Sequence, residues 1–344
     1  MYIYIISKNV FNICILCLGF FFGSKPGSAQ NSTSPLKSKT LIQPPFLKAG
    51  DTVAIVAPAG ILKNRTQEVN KAIALLESWG LKATVGKHVF TNGGHFAGTD
   101  AERCEDFQQA LDNPNIKAIW AARGGYGSVR ILDLLDYTKF KKQPKWIIGY
   151  SDITAFHNQM NVLGFQSLHA MMCTSVTDEL QSNPETAATF KKALFGETLE
   201  YTLNGSPYNR EGKASGQLVG GNLAILASML GSDTSLDTKG KILFIEEIGE
   251  YAYSIDRMLQ SLKRAGYFKN CVGLIVGDIS KVKRNTTKFG KTVEQIILDV
   301  VAEYNFPVAF NMKAGHEPDN RAMILGEVVE LGISKEEVKI SFIN

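Results

Sequence analysis

The pattern of apolar and polar positions divides the chain into alternating strand-like and helix-like segments. Thr52–Ala57 is a short apolar run bounded by Gly50-Asp51 and Pro58, which suits a buried parallel strand. Residues 64–79 place Val69, Ile73 and Leu76 on one helical face and stop at Gly80. Residues 82–85 read as the next strand. Thr99 and Glu102 have capping-box spacing at the start of a helix to Leu111. Residues 118–122 and 146–149 read as strands, and 128–135 and 152–162 as helices. Strands alternating with helices predict a parallel sheet covered by helices on its faces.

The pattern changes after residue 175. Residues 180–203 carry a polar helix and a strand, and residues 206–214 read as a loop. A second half starts near Ser215 with Gly216-Gln-Leu-Val-Gly-Gly221. It continues with a helix over 222–230, a strand over 241–246 and a helix over 254–264. A strand over 272–276, a helix over 293–304 and two terminal strands complete it. The expected division is an N-terminal α/β domain over 46–175, a connecting segment over 176–214 and a C-terminal domain over 215–344.

The first 29 residues differ from the rest. Lys8 precedes an apolar stretch, Val10–Phe22, and a small polar exit through Gly27-Ser28-Ala29 follows. This is the layout of a secretory signal peptide. The apolar stretch of 13 residues is shorter than the ~20 that a membrane-spanning helix needs. The expectation is export to the periplasm, with no stable membrane insertion after cleavage. A retained N-terminal membrane anchor is the alternative. Residues 30–45, rich in Ser, Thr, Lys and Pro, read as a linker outside the fold.

Composition adds exclusions. The 344 residues include 37 basic and 33 acidic ones, for a net charge of +4. Loss of residues 1–29 removes Lys8 and Lys25 and leaves +2. That balance points away from nucleic acid as a partner. The basic stretch Lys281–Lys291 reads as a solvated loop. Cys104, Cys173 and Cys271 are widely spaced and odd in number, so neither a disulfide framework nor a metal site is expected. No cofactor motif is present.

Four segments carry candidate chemistry. In Pro144–Thr154 an apolar strand runs into Gly149-Tyr150-Ser151-Asp152 and then a helix, which can hold Ser151 at an exposed elbow. Asp152 and Ile153 depart from the G-x-S-x-G pattern, so taken alone Ser151 reads better as a helix cap than as a nucleophile. The Asp152 backbone N–H is a candidate oxyanion donor. Arg123-Gly-Gly-Tyr-Gly127 is a tight turn in which Gly124 or Gly125 can supply a second donor. Glu246 ends an apolar strand and needs a partner if buried; Glu247 and Glu250 are alternatives in a loop that suits solvent. His316 lies in the loop Gly315–Arg321. Together these supply a nucleophile, an acid and a base.

At these residues the sequence resembles the LD-carboxypeptidase family, peptidase family S66. The stretches that carry the resemblance include Gly50–Gly60, Phe96–Asp100, Arg123–Ser128, Gly149–Thr154, Gly220–Leu223, Ile245–Glu250, Ile255–Leu259 and Gly315-His316, in one order across residues 46–335. The resemblance implies a Rossmann-like or flavodoxin-like N-terminal domain, a β-rich C-terminal domain and a homodimer. It implies a triad of Ser151, Glu246 and His316, and an oxyanion hole from Asp152 and the 124–125 pair. The implied reaction is cleavage of the L,D bond in murein tetrapeptides with release of D-alanine. Arg123 or Asn222 is a candidate for the substrate carboxylate. Typical bacterial members act in the cytoplasm, and a signal peptide departs from that. Two other readings remain: a relative of the microcin C immunity protein that cleaves peptidyl-nucleotide amides, with Phe289 as its one candidate stacking aromatic, and a non-enzymatic periplasmic binding protein.

Overall fold

The computed structural model describes residues 40–343; the signal-peptide stretch lies outside the described residues. The first half alternates β1 (Thr52–Val56), α1 (Thr66–Ser78), β2 (Lys82–Val85), α2 (Asp100–Asp112) and β3 (Ile116–Ala121). It continues through α3 (Ser128–Leu132), α4 (Thr138–Lys142), β4 (Trp146–Gly149), α5 (Thr154–Leu163) and β5 (Ser167–His169). The middle holds α6 (Pro184–Phe195) and β6 (Glu200–Asn204). The second half has β7 (Gly212–Asn222), α7 (Leu223–Ser228), β8 (Ile242–Ile248), α8 (Ala252–Arg264), β9 (Gly273–Ser280) and α9 (Val293–Val300). Short strands β10 (Val308–Ala309) and β11 (Met323–Leu325) precede the hairpin of β12 (Val328–Ile333) and β13 (Glu337–Ile343).

Two sheets result. The first has the order β11-β5-β4-β3-β1-β2. Its five N-terminal strands are parallel, in the flavodoxin-like order 2-1-3-4-5. Such sheets bind ligands beyond the carboxyl ends of the strands, where the order reverses. Buried apolar strand residues such as Val53, Ile55, Trp120 and Ile148 fill one side of it. The second sheet has the order β10-β9-β8-β7-β12-β13-β6, parallel from β10 to β7 and antiparallel beyond. This is the α/β fold with a β-rich second part that the sequence analysis anticipated.

Several local expectations change. Thr99 does form a reciprocal capping box with Glu102. The helix expected over 128–135 ends at Leu132, and the short α4 follows. The strand expected over 272–276 runs on to Ser280. The expected linker over 30–45 is part of the fold at its end. Leu41 is buried, Ile42 N–H donates to Gly164 O, and the Trp146 indole donates to Pro45 O at 3.0 Å. Sheet membership also crosses the expected domain boundaries. The connecting segment gives β6 to the second sheet, and the C-terminal half gives β11 to the first. β11 pairs antiparallel with β5, Met323 opposite His169 and Leu325 opposite Ser167.

Glu327 occupies the turn between β11 and β12 with 3% exposure, and neither carboxylate oxygen has a partner among the described residues. Burial pushes its pKa up to about 7. An unfolded glutamate titrates near ~4.3, so folding takes up a proton between these values and stability falls as pH rises across that window. Glu327→Gln should therefore raise the melting temperature at pH 8 by several degrees and give little change near pH 4. Calorimetry at the two pH values reads the difference; an equal shift at both would contradict it.

Candidate active site

Ser151 stands where β4 ends. Tyr150 is extended, Ser151 adopts φ 61°, and a 3₁₀ turn over Ser151–Ile153 leads into α5. A left-handed φ at a serine costs about 1–2 kcal/mol relative to a right-handed one. Such a conformation projects the side chain away from both strand and helix, as an elbow requires. Buried groups brace it. His157 on α5 contacts Gly149 O through Nε2 at 2.9 Å and Ser167 Oγ through Nδ1 at 2.9 Å. Burial lowers its pKa to about 4, so it is a neutral brace.

Asp152 ties the elbow to the glycine turn. Its Oδ2 accepts the Ser128 N–H at 2.8 Å, and burial raises its carboxyl above the usual range. The turn in question brings Gly124 against the serine. A Cβ at position 124 would stand 3.2 Å from Ser151 Cβ, 3.4 Å from Ser151 Oγ and 3.3 Å from the Met172 methyl. A side chain there would force the Ser151 or Met172 side chain to give by a few tenths of an ångström. Of the two glycines considered as oxyanion donors, both line the cavity at Ser151, and Gly124 abuts the hydroxyl. Arg103 supports the turn from below, donating to Gly127 O at 2.9 Å and to Pro58 O.

Glu246 lies in β8 with no exposure, and its Oε2 is 2.7 Å from His316 Nδ1. Among the described residues its Oε1 has no partner. His316 is presented by a loop held at both ends. Gly315 N–H donates to Asn320 Oδ1 at 3.1 Å, and Asn320 N–H donates to Thr186 Oγ1 at 2.9 Å. The Tyr150 ring packs edge-on to the His316 ring, with centroids 4.9 Å apart. The residue preceding Ser151 thus touches the imidazole that Glu246 orients. Ser151, His316, Gly124, Gly125 and Arg123 all line one cavity of about 600 Å³.

Other expected residues lie elsewhere. Asn222 is 5% exposed and not part of the cavity lining. Its Oδ1 caps α7 by accepting the Ile225 N–H, and its Nδ2 reaches Glu247 Oε1 at 3.3 Å. It is a structural cap, and an Asn directly before Leu-Ala-Ile-Leu could have been read as one. Glu247, expected to face solvent, is buried. It accepts from Ala224 N–H at 2.7 Å and from Ile248 N–H at 2.8 Å, and burial raises its pKa to about 7. Phe289 is 38% exposed and outside the cavity lining. Two cationic residues of the cavity escaped the sequence reading. Arg65 precedes α1, and Lys281, exposed at the start of the solvated basic stretch, also lines the cavity with φ 50°. Neither position has a local sequence signal. Cys173 is buried with its thiol pushed well up, which suits an inert core residue. Among the described residues no group of three or more His, Cys, Asp or Glu side chains is placed to hold a metal ion.

A serine elbow at the carboxyl edge of a parallel sheet belongs to the chemistry of serine hydrolases, and the comparisons with known proteins specify which. Residues 53–170 match the LD-carboxypeptidase N-terminal domain and residues 215–331 the LD-carboxypeptidase C-terminal domain. A probable murein peptide carboxypeptidase of Bacillus subtilis is 34% identical over 86% of this chain and 97% of its own. The crystal structure of muramoyltetrapeptide carboxypeptidase from Oxalobacter formigenes superimposes with a TM-score of 0.78 at 28% identity, covering 85% of this chain and 99% of that one. The microcin C7 self-immunity protein shares the fold, with a TM-score of 0.75 at 21% identity over 86% of this chain and 97% of its own. The chain belongs to the LD-carboxypeptidase family, peptidase family S66. It is a serine peptidase.

The left-handed Ser151 makes a stability prediction. Ser151→Gly should be more stable than Ser151→Ala by about 1 kcal/mol, because only glycine takes this φ without penalty. Denaturant unfolding measures the difference, and equal stabilities would remove the strain from the account. Gly124→Ala should lower kcat roughly tenfold or more by displacing the Ser151 hydroxyl from its productive position, with steady-state kinetics as the check.

Proposed function

We propose that the protein is an exported LD-carboxypeptidase that releases terminal D-alanine from murein tetrapeptides. Ser151 is the nucleophile, His316 the base and Glu246 its orienting carboxylate. The observation that carries the proposal is the 2.7 Å Glu246–His316 pair set against the cavity that also receives Ser151. Glu246 holds the proton on Nδ1 and leaves Nε2 as the acceptor.

The steps balance as an acyl transfer to water. Ser151 Oγ bonds to the carbonyl carbon of the residue before D-alanine while its proton passes to His316 Nε2. The oxyanion is met by the Asp152 N–H and by an N–H of the 124–125 pair. The C–N bond then breaks, and His316 gives the proton to the leaving amine. Water attacks the resulting ester, loses a proton to His316, and Ser151 recovers it.

The substrate assignment draws on the printed names of relatives: the Bacillus protein is a probable murein peptide carboxypeptidase and the Oxalobacter protein a muramoyltetrapeptide carboxypeptidase. Export rests on the composition of residues 1–29, and assembly as a homodimer on the family resemblance. For the peptidyl-nucleotide reading, Phe289 offers no support from its position.

Incubation with L-Ala-D-Glu-meso-diaminopimelate-D-Ala should release free D-alanine. Folded protein that releases none would overturn the substrate. Ser151→Ala should abolish release. Glu246→Gln should lower kcat on the order of a thousandfold, since the amide can no longer stabilise the imidazolium. Fractionation with N-terminal mass analysis should find mature chain outside the cytoplasm lacking residues 1–29.

A further inference from the structure

Two guanidinium groups share the cavity with Ser151. Arg123 leads the glycine turn, so it is one residue from the Gly124 backbone that abuts the serine. It is anchored from outside the site: its Nη1 donates to Ile61 O, and its guanidinium carbon would stand 3.6 Å from a Cβ on Gly60, whose N–H donates to Gly124 O. Arg65 enters the cavity from the residue preceding α1. Neither arginine is in an ion pair among the described residues. Glu179 and Glu317 also line the cavity but stand in no salt bridge with either guanidinium. Burial, and then the charge of Arg65, hold Arg123 below its ordinary pKa.

Two like charges in one partly enclosed cavity repel each other, and removal from water adds to the cost. An anion bound between them offsets both. Guanidinium is suited to a carboxylate because its planar fork donates two parallel hydrogen bonds. The scale also fits. In a peptide cleaved at its last bond, the terminal carboxylate lies only one residue length, about 3.5 Å, beyond the scissile carbonyl. Arg65 and Arg123 line the same cavity as Ser151, and that carboxylate must lie within this cavity when the carbonyl is over Ser151.

We propose that Arg65 and Arg123 form one receptor for the free carboxylate of the departing C-terminal residue. The pair makes the enzyme exo-acting: a peptide that continues past that residue, or ends in an amide, leaves two charges unpaired. The proposal rests on the reading of Ser151 as nucleophile, but its test does not require turnover.

The test uses the full-length Ser151→Ala protein and two ligands, the tetrapeptide above and the same peptide ending in D-alanine amide. Titration calorimetry should show the amide binding about 30-fold or more weaker than the acid, the usual scale for losing a charge-assisted contact. Adding Arg65→Gln should weaken the acid about tenfold or more and leave the amide nearly unchanged, while Arg65→Lys recovers part of the loss. Circular dichroism establishes that each variant is folded. Equal affinity for acid and amide would overturn the receptor, as would an Arg65→Gln effect that falls equally on both. Hydrolysis is read separately with the Ser151 protein. No D-alanine release alongside a persistent acid–amide difference would overturn the hydrolytic reading and leave the receptor standing.

Discussion

The three-residue ladder between β11 and β5 is the constraint on which the site depends. Without it the first sheet would end at β5, and the loop carrying His316 would have no reason to pass the elbow. With it, the chain leaving the Glu246 side is pinned at Met323 opposite His169, a few residues from Ser151 along the neighbouring strand. The loop between Gly315 and Arg321 is then short enough to be fixed by two side chains, Asn320 and Thr186. A short edge strand is weakly stabilising by itself, and here its value is positional.

Electrostatics divides the region into two layers. Behind the elbow, histidines are neutral: burial lowers His157 to about 4 and pushes His169 well below its ordinary value. His157 contributes hydrogen bonds and His169 ring packing, as in its edge-on contact with Phe244 at 5.0 Å. The one imidazole paired with a carboxylate in the cavity wall is His316. Arg65, Arg123 and Lys281 bring positive charge to the same cavity, against Glu179 and Glu317. Neutral support, one oriented imidazole and cationic surroundings suit a peptide with several carboxylates approaching a neutral nucleophile.

Local signals in the sequence were readable where the physics is local. The apolar run at Thr52–Val56 and the Thr99–Glu102 box needed no distant partner to form. What escaped depends on contacts across the chain. β5 and β11 are three residues each, too short for any periodicity, and each is a strand only because the other or β4 is beside it. Glu247 looked solvent-facing because nothing near it in sequence shows that α7 begins over its carboxylate. Ser151 was ambiguous in isolation, since a helix cap and an elbow share a sequence; its left-handed backbone is a property of the folded turn. His316 is legible as a candidate in a polar loop, but its assignment together with Glu246 comes from the family resemblance, because its own surroundings give no sign of that partner.

The joint between the halves has an evolutionary consequence. Thr154, three residues beyond Ser151, accepts the Asn222 N–H at 2.9 Å, and β11 is lent back to the first sheet. Neither half can therefore be inherited as an interchangeable cassette. A chimera that takes residues up to the connecting segment from one ancestor and the remainder from another must match a hydroxyl, an edge strand and a loop length at once. Divergence in such a lineage is steered toward the loops around the cavity mouth, with the two halves kept as a matched pair.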